Sequence, residues 1–333
     1  MPEKLPHKPA GATRPAGVLS LAQLLQQSPA LPTAALIEPG LLPASGILFV
    51  GGEPKVGKSI LVANLALALA SGRSGAGFLV PAARRVLICQ FELPASQFAL
   101  RLAPMRIPIG EAADSNLFID TEAAGHLLSA PRGLDHFLRA IHTVKADVIV
   151  LDPLYSTHDQ DENDTRAMAA LCQTLLRLRD ASGAALIVVH HVRKSVGRHE
   201  IGSAFRGSSA LHAVGDSYLL LVRPSAHVPT IELRFQFRYA PATEPRLLAL
   251  DSETLWFQAC TSTPAPIPVR RKVETADVER ALAASGSARF NQLREKIMNQ
   301  SECSRRTAQL AIQRACQEGS IVHDNGQYRL PLS

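Results

Sequence analysis

The sequence predicts an α/β protein in which a mostly parallel sheet is covered by helices and a small C-terminal module follows. Three observations carry that expectation. Near-continuous apolar strands alternate with amphipathic helices between residues 41 and 260, the signature of strands buried on both faces. A proline-rich stretch at 261–268 then breaks the chain as a stiff spacer. The 65 residues beyond it read as three helices and a hairpin. The expected organisation is an N-terminal arm over 1–40, an α/β domain over 41–260, a linker over 261–272 and a small domain over 273–333.

Taken in order, the arm is rich in Pro and Ala and carries one amphipathic patch at 18–25, read as a short helix. The first strand, 47–50, runs into Gly52-Glu53-Pro54-Lys55-Val56-Gly57-Lys58-Ser59, and a helix over 58–70 leaves it. That is a complete G-x-x-x-x-G-K-[ST] phosphate-binding loop between a strand and a helix. Its glycines let backbone N–H groups curl round phosphate oxygens, and the helix start adds partial positive charge. Gly52 to Ile60 therefore form the candidate nucleotide cradle, with Lys58 reaching the β- and γ-phosphates and Ser59 holding Mg²⁺.

Further strands are expected at 86–91, 117–119, 148–151 and 185–189, with helices at 94–104, 132–144 and 164–181. Asp152 ends the apolar strand 148–151, where it can accept a bond from a Mg²⁺-bound water beside Ser59. Glu92 follows the strand 86–91, expected to lie next to the phosphate-loop strand. It either polarises an attacking water or supplies an acid to the start of the next helix. His190 and His191 end the strand 185–189; one of them either senses the γ-phosphate or is an ordinary core or surface histidine. The acidic run from Asp159 to Asp164 begins like a calcium loop but has Asp164 where Gly is needed and Ala170 in place of the bidentate Glu.

Antiparallel strands are expected next, at 217–222, 230–239, 246–250 and 254–257, the last pair joined by a tight turn over 251–253. In the C-terminal module, helices over 273–285, 290–300 and 305–318 precede strands at 320–323 and 327–330, with Asp324-Asn325-Gly326 between them. This pattern looks like a winged helix-turn-helix. From Ala265 to the end there are 11 Lys and Arg against 7 Asp and Glu. Arg305, Arg306, Gln309 and Gln313 fall on the exposed face of its third helix, as a major-groove reader requires. Binding to protein fits a module of this charge as well.

Hydrophobic residues make up 46% and charged residues 19%, a globular mix that is neither disordered nor membrane-like. No apolar run nears the ~20 residues that span a bilayer. Five scattered cysteines, 89, 172, 260, 303 and 316, show no paired spacing, which fits a reducing cytoplasm and argues against a structural zinc site. The net charge of +6 permits nucleic-acid contact.

The motifs together resemble the RecA-like hexameric ATPases, in particular the plasmid RepA-type replicative helicases, over about residues 18–258. The resemblance is carried by Gly52–Ser59, Phe91-Glu92, the run 150–154, Asn163-Asp164, the run 188–194, the run 206–211 and Asp216. It implies that Lys58, Ser59 and Asp152 hold MgATP, that Glu92 is the general base and that His191 is the γ-phosphate sensor. It further implies that the loop 193–206, with Arg193, Lys194, Arg198 and Arg206, grips single-stranded DNA in the pore of a homo-hexamer. In such rings a neighbouring subunit supplies a cation to the ATP site; Arg234 and Arg238 are the candidates here, with Arg206 third. Ordinary surface arginines on a strand are the other reading of the first two.

The implied function is a cytoplasmic DNA-dependent ATPase, a ring-forming helicase or translocase acting in replication of a plasmid or mobile element. The winged helix, which simpler RepA-type helicases lack, would add contact with double-stranded DNA. Two alternatives remain at this point: an ATP-switched DNA-binding regulator without unwinding activity, and a P-loop kinase acting on a small molecule.

Overall fold

The computed structural model describes residues 18–27, 35–192, 201, 205, 209–223, 230–260, 273–283, 285–301, 303, 305–324 and 326–331. The chain divides into two compact units, Met1–Val222 with Glu232–Cys260 and Arg223–Ile231 with Thr261–Ser333. Each is taken by itself.

The larger unit begins with a helix α1 (Leu21–Gln27). Ser20 and Gln23 cap its start reciprocally: the Gln23 amide donates to Ser20 Oγ at 3.2 Å, and the Ser20 amide to Gln23 Oε1 at 2.9 Å. Then come β1 (Ile47–Gly52), α2 (Lys58–Ser71), β2 (Val86–Gln90), α3 (Ala95–Arg106), β3 (Leu117–Asp120), α4 (Pro131–Val144), β4 (Val148–Asp152), α5 (Thr165–Ser182) and β5 (Ala185–His191). After these come α6 (Ser209–Val214), β6 (Ser217–Val222), β7 (Thr230–Phe237), β8 (Arg246–Leu250) and β9 (Phe257–Cys260). The nine strands form one sheet in the order β3-β2-β4-β5-β1-β6-β7-β8-β9. The first six of that order are parallel, and every residue of β1, β2 and β4 is buried. Helix-covered parallel strands explain the unbroken apolar runs.

Four expectations need correction. First, β2 is not beside β1; β4 and β5 lie between them, because strand order follows from crossover geometry rather than from chain order. Second, β6 runs parallel to β1 and antiparallel to β7, so the antiparallel part starts one strand later than expected. Third, β9 starts at Phe257 rather than 254. Asp251 Oδ1 accepts the amides of Glu253 and Thr254 at 2.9 and 3.0 Å, and Leu255 adopts φ 55°, so the turn takes up the intervening residues. Fourth, Leu36 and Ile37 are buried, so the end of the expected arm belongs to the core.

Helix α2 is apolar almost all round and buried from Leu61 to Ala70, since it lies beneath the phosphate loop against the sheet. Its one buried side-chain amide, Asn64, is bonded through both of its polar atoms. Nδ2 donates to Leu255 O at 3.1 Å, and Oδ1 accepts the Phe257 amide at 2.9 Å. That pair of bonds ties the β8–β9 turn to the helix that carries Lys58.

The smaller unit contains α7 (Thr275–Ala283), β10 (Ser287–Ala288), α8 (Phe290–Ser301), α9 (Arg305–Gln317), β11 (Val322–Asp324) and β12 (Gln327–Arg329). Its three strands pair in the order β10-β12-β11; β10 was not expected, being two residues long. Its core is Val278, Leu282, Leu293, Ile297, Ala308, Ile312, Ala315 and their neighbours. No helix among the described residues is long and apolar enough to cross a membrane.

Asn64→Ala leaves the Leu255 carbonyl and the Phe257 amide without their partner. It should destabilise the protein by about 1–3 kcal/mol, read as a lowered denaturation midpoint in a chemical unfolding curve.

Candidate active site

The C-terminal ends of β1, β4 and β5 and the start of α2 surround a cleft of about 590 Å³. It is lined by Pro54, Lys55, Gly57, Lys58, Ser59 and Ile60, together with Glu92, Arg101, Asp152, Pro153, Tyr155, Val189 and His191. Glu92, Asp152 and His191 were inferred from three separate stretches of sequence, and the fold brings all three to the phosphate loop.

The loop's shape follows from its glycines. Gly57 stands at φ 110°, and a Cβ there would sit 3.0 Å from the Phe257 ring. At Gly52 a Cβ would meet Leu221 O at 2.8 Å, so the loop and β6 approach too closely for a side chain. Gly57 precedes α2 and brings no side-chain acceptor to it, leaving the first helical amides directed at the cleft.

Lys58 is buried, and its three donors are all used: Gly52 O at 2.8 Å, Glu53 O at 3.0 Å and His191 Nδ1 at 3.0 Å. Burial pulls its pKa down to about 8, against the pull of Asp152 and Glu92. An ammonium donating to Nδ1 leaves the His191 proton on Nε2. Burial, then the Lys58 charge, lowers the His191 pKa, so the ring is a neutral N–H donor in the cleft. His190 points elsewhere, as strand alternation requires. It is buried near the Phe205 ring with Glu162 4.0 Å away. Burial, with His191, His158 and Lys58, lowers its pKa to about 4.

Ser59 Oγ donates to Asp152 Oδ1 at 3.0 Å. Desolvation raises the Asp152 pKa to about 6, with Ser59 opposing and Glu92 adding. A hydroxyl beside a buried carboxylate whose charge is under-compensated is a hard-oxygen pair of the kind Mg²⁺ takes. Glu92 begins the segment after β2. Its amide is fixed by Gln90 Oε1 at 2.7 Å, and its side chain accepts a hydrogen bond from the Tyr155 hydroxyl. The helix that follows starts at Ala95 with Pro94 as its cap, so Glu92 is not spent on capping.

The remaining candidates lie outside this cleft. Arg234, in β7, is engaged by Glu232 at 2.5 Å. Arg238 donates to the buried Asp216 at 3.1 Å and to Ala213 O at 3.0 Å. Because Asp216 also accepts the Ile47 amide, Arg238 stands at the opposite end of β1 from the phosphate loop, where it serves its own chain. Arg193, Lys194, Arg198 and Arg206 lie outside the described residues. Arg305, Arg306, Gln309 and Gln313 are all exposed on α9, opposite its buried Ala308, Ala311, Ile312 and Ala315. The acidic run before α5 is occupied with turns: Asp161 accepts from Asn163, and Asp164 caps α5 through the Arg166 and Ala167 amides.

Two cleft residues with polar side chains, Arg101 and Tyr155, were not foreseen. Arg101 is the first charged residue of α3, and that position was its only sequence signal. Tyr155, three residues past Asp152, had none.

The AAA_25 family profile, described as an AAA domain, matches residues 13–197, more than half of the chain. The chain belongs to that family. No curated protein matches it by sequence. Among solved structures it is similar to the "ATPase Domain of G40P", with 17% identity and a TM-score of 0.50 over 64% of this chain and 84% of that one. It is also similar to a DnaB-like replicative helicase solved for its interactions with primase, with 15% identity and a TM-score of 0.51 over 64% of this chain. The match spans 57% of that helicase chain. At these identities the likeness establishes the fold. The larger unit is a RecA-like P-loop ATPase domain, and the AAA_25 protein is an ATP-hydrolysing enzyme.

Asp152 provides a sign-determined test. Its pKa is raised from about 4 in the unfolded chain, so the folded state keeps a proton that the unfolded state releases between about pH 4 and 6. The group thus favours folding below pH 4 and loses that contribution as pH rises through about 6. Asp152→Asn, which still accepts from Ser59, should stabilise the nucleotide-free protein by about 1–3 kcal/mol at pH 8 and have little effect at pH 4. Thermal unfolding at the two pH values checks this.

Proposed function

We propose that the AAA_25 protein is a DNA-dependent ATPase that assembles as a ring and works as a helicase or translocase in the replication of a plasmid or mobile element. The observation that carries the hydrolytic part is the convergence of Lys58, Ser59, Asp152, Glu92 and His191 on one cleft. In this reading the amides at the start of α2 and the Lys58 ammonium bind the β- and γ-phosphates. Ser59 and Asp152 hold Mg²⁺, which when bound neutralises developing charge on the phosphates. Glu92 takes a proton from water as its oxygen bonds to the γ-phosphorus, and the bridging P–O bond breaks with its electron pair leaving on ADP. The His191 Nε2–H donates to the γ-phosphate, and Arg101 adds positive charge to the cleft.

DNA as the partner is supported by the helicase likeness of the fold, the basic sequence over 193–206, and the exposed Arg305, Arg306, Gln309 and Gln313 of α9. The helix-helix-helix-hairpin order of the smaller unit supports reading it as a winged helix that holds double-stranded DNA. A hexamer with its ATP sites between subunits follows from the RepA-type resemblance. Both strand arginines are bonded within their own chain, Arg238 to Asp216 and Arg234 to Glu232. Arg234 is the first candidate for a cation supplied to a neighbour because its register partner Leu220 lies beside Gly51, at the phosphate-loop end of β1, and it would exchange Glu232 for the nucleotide. The odd, unpaired cysteines favour a cytoplasmic setting.

That same exposed face of α9 favours a second reading, an ATP-switched regulator that binds a DNA site without separating strands. Steady-state ATP hydrolysis at one fixed salt concentration, with and without single-stranded DNA, separates them. The motor reading expects stimulation of roughly tenfold or more, abolished in Glu92→Gln. A slow rate indifferent to single strands contradicts it and favours the regulator. In the ring reading, Arg234→Ala should retain nucleotide affinity and lose about 100-fold or more in turnover. Wild-type turnover in that variant removes Arg234 from the site.

A further inference from the structure

Tyr155 lies on a short 3-10 turn, Leu154–Thr157, that leaves β4 directly after the Asp152-Pro153 pair. The turn is anchored at both ends. Leu154 and Thr157 are fully buried, and Thr157 Oγ1 donates to Leu154 O at 2.7 Å. From this fixed base the Tyr155 side chain reaches into the cleft. Its hydroxyl donates to Glu92 Oε1, and its ring lies tilted against that of His191, with centroids 5.3 Å apart.

The need for such a support is visible at Glu92. Its backbone amide is held by Gln90, but a glutamate side chain has three rotatable bonds beyond Cα, and this one stands on an irregular segment rather than on a helix or strand. A base that wanders by an ångström loses most of its effect. A carboxylate has two oxygens. With Oε1 committed to a phenol, Oε2 is the one left to face water, and the direction of its lone pairs is set. The bond to Glu92, then partial burial, raises the Tyr155 pKa above its ordinary value. The hydroxyl therefore remains a donor throughout the neutral range.

We infer that Tyr155 is a positioning residue for ATP hydrolysis, fixing Glu92 through Oε1 so that Oε2 is aimed at the attacking water. This rests on the reading of Glu92 as general base. It adds a functional link: the turn that follows Asp152 also sets the base, so the metal-side carboxylate and the water-side carboxylate share one rigid support. The ring contact with His191 connects the third polar group of the cleft to the same support.

The test is steady-state and binding analysis of Tyr155→Phe and Tyr155→His, alongside Glu92→Gln and the Glu92→Gln/Tyr155→Phe double variant. Tyr155 is 42% exposed, and the phenylalanine variant loses a single oxygen, so folding is preserved. Tyr155→Phe should lower kcat about tenfold while KM and directly measured ATP affinity stay within twofold of wild type. Tyr155→His, which offers a donor again, should recover part of the loss. The double variant should be no slower than Glu92→Gln alone, because both changes act through one group. Wild-type kcat in Tyr155→Phe, or a fall in kcat matched by an equal fall in ATP affinity, overturns the positioning role. Wild-type turnover in Glu92→Gln instead overturns the reading of Glu92 and removes the basis of the proposal with it.

Discussion

Lys58 and Asp152 are opposite charges drawn out of water at the C-terminal edge of a parallel sheet, and each feels the other's field. Neither is comfortable there. Desolvation moves the lysine toward its neutral form and the aspartate toward its protonated form, and the neighbouring opposite charges, with the Ser59 hydrogen bond to Asp152, only partly offset that. A site in that condition favours what supplies the missing charge, a polyphosphate for the ammonium and a cation for the carboxylate. Much of the larger unit serves to hold this pair: α2 is buried beneath Lys58, β4 delivers Asp152, and Asn64 anchors the β8–β9 turn to the same helix.

The strand order explains why the cleft has the residues it has. With β5 between β1 and β4, the space beside the phosphate loop receives a histidine from the neighbouring strand, and the carboxylate arrives one strand further out. Strand alternation then divides the two histidines between the cleft and the interior. His191 meets Lys58, and His190 packs near Phe205 and Glu162. Glu92 reaches the cleft from three strands away because β2 ends at the same edge. That makes its placement dependent on the short irregular segment between β2 and α3 and on whatever secures its tip.

The sequence was most informative where the signal is local. The phosphate loop needs Gly57 at a positive φ and a helix directly after it, and both requirements lie within eight consecutive residues. Strand ends bearing polar residues, Asp152 after four apolar residues and the His190-His191 pair after five, were legible as positions for the same reason, although which histidine faces the cleft was not. Sheet order was not legible, since pairing between distant segments depends on crossovers that leave little local trace. The direction of β6 was hidden likewise, because a six-residue apolar strand reads the same whether its neighbour is parallel or not. Arg238 illustrates a further limit. An arginine in a strand looks available until the fold shows a buried aspartate beside it. Tyr155 carries the opposite lesson, an unremarkable tyrosine in a turn that the fold sets against Glu92.

The account depends on the claim that Lys58 trades its three internal partners for the phosphates of a bound nucleotide. Direct titration of MgATP into wild-type protein and Lys58→Ala, followed by calorimetry, tests that claim with no assumption about DNA or oligomeric state. The account predicts a loss of affinity of about 100-fold or more in the variant, the scale of a desolvated charge-assisted contact with phosphate. Equal affinity in the two proteins would contradict it, because the nucleotide would then be bound somewhere other than this loop.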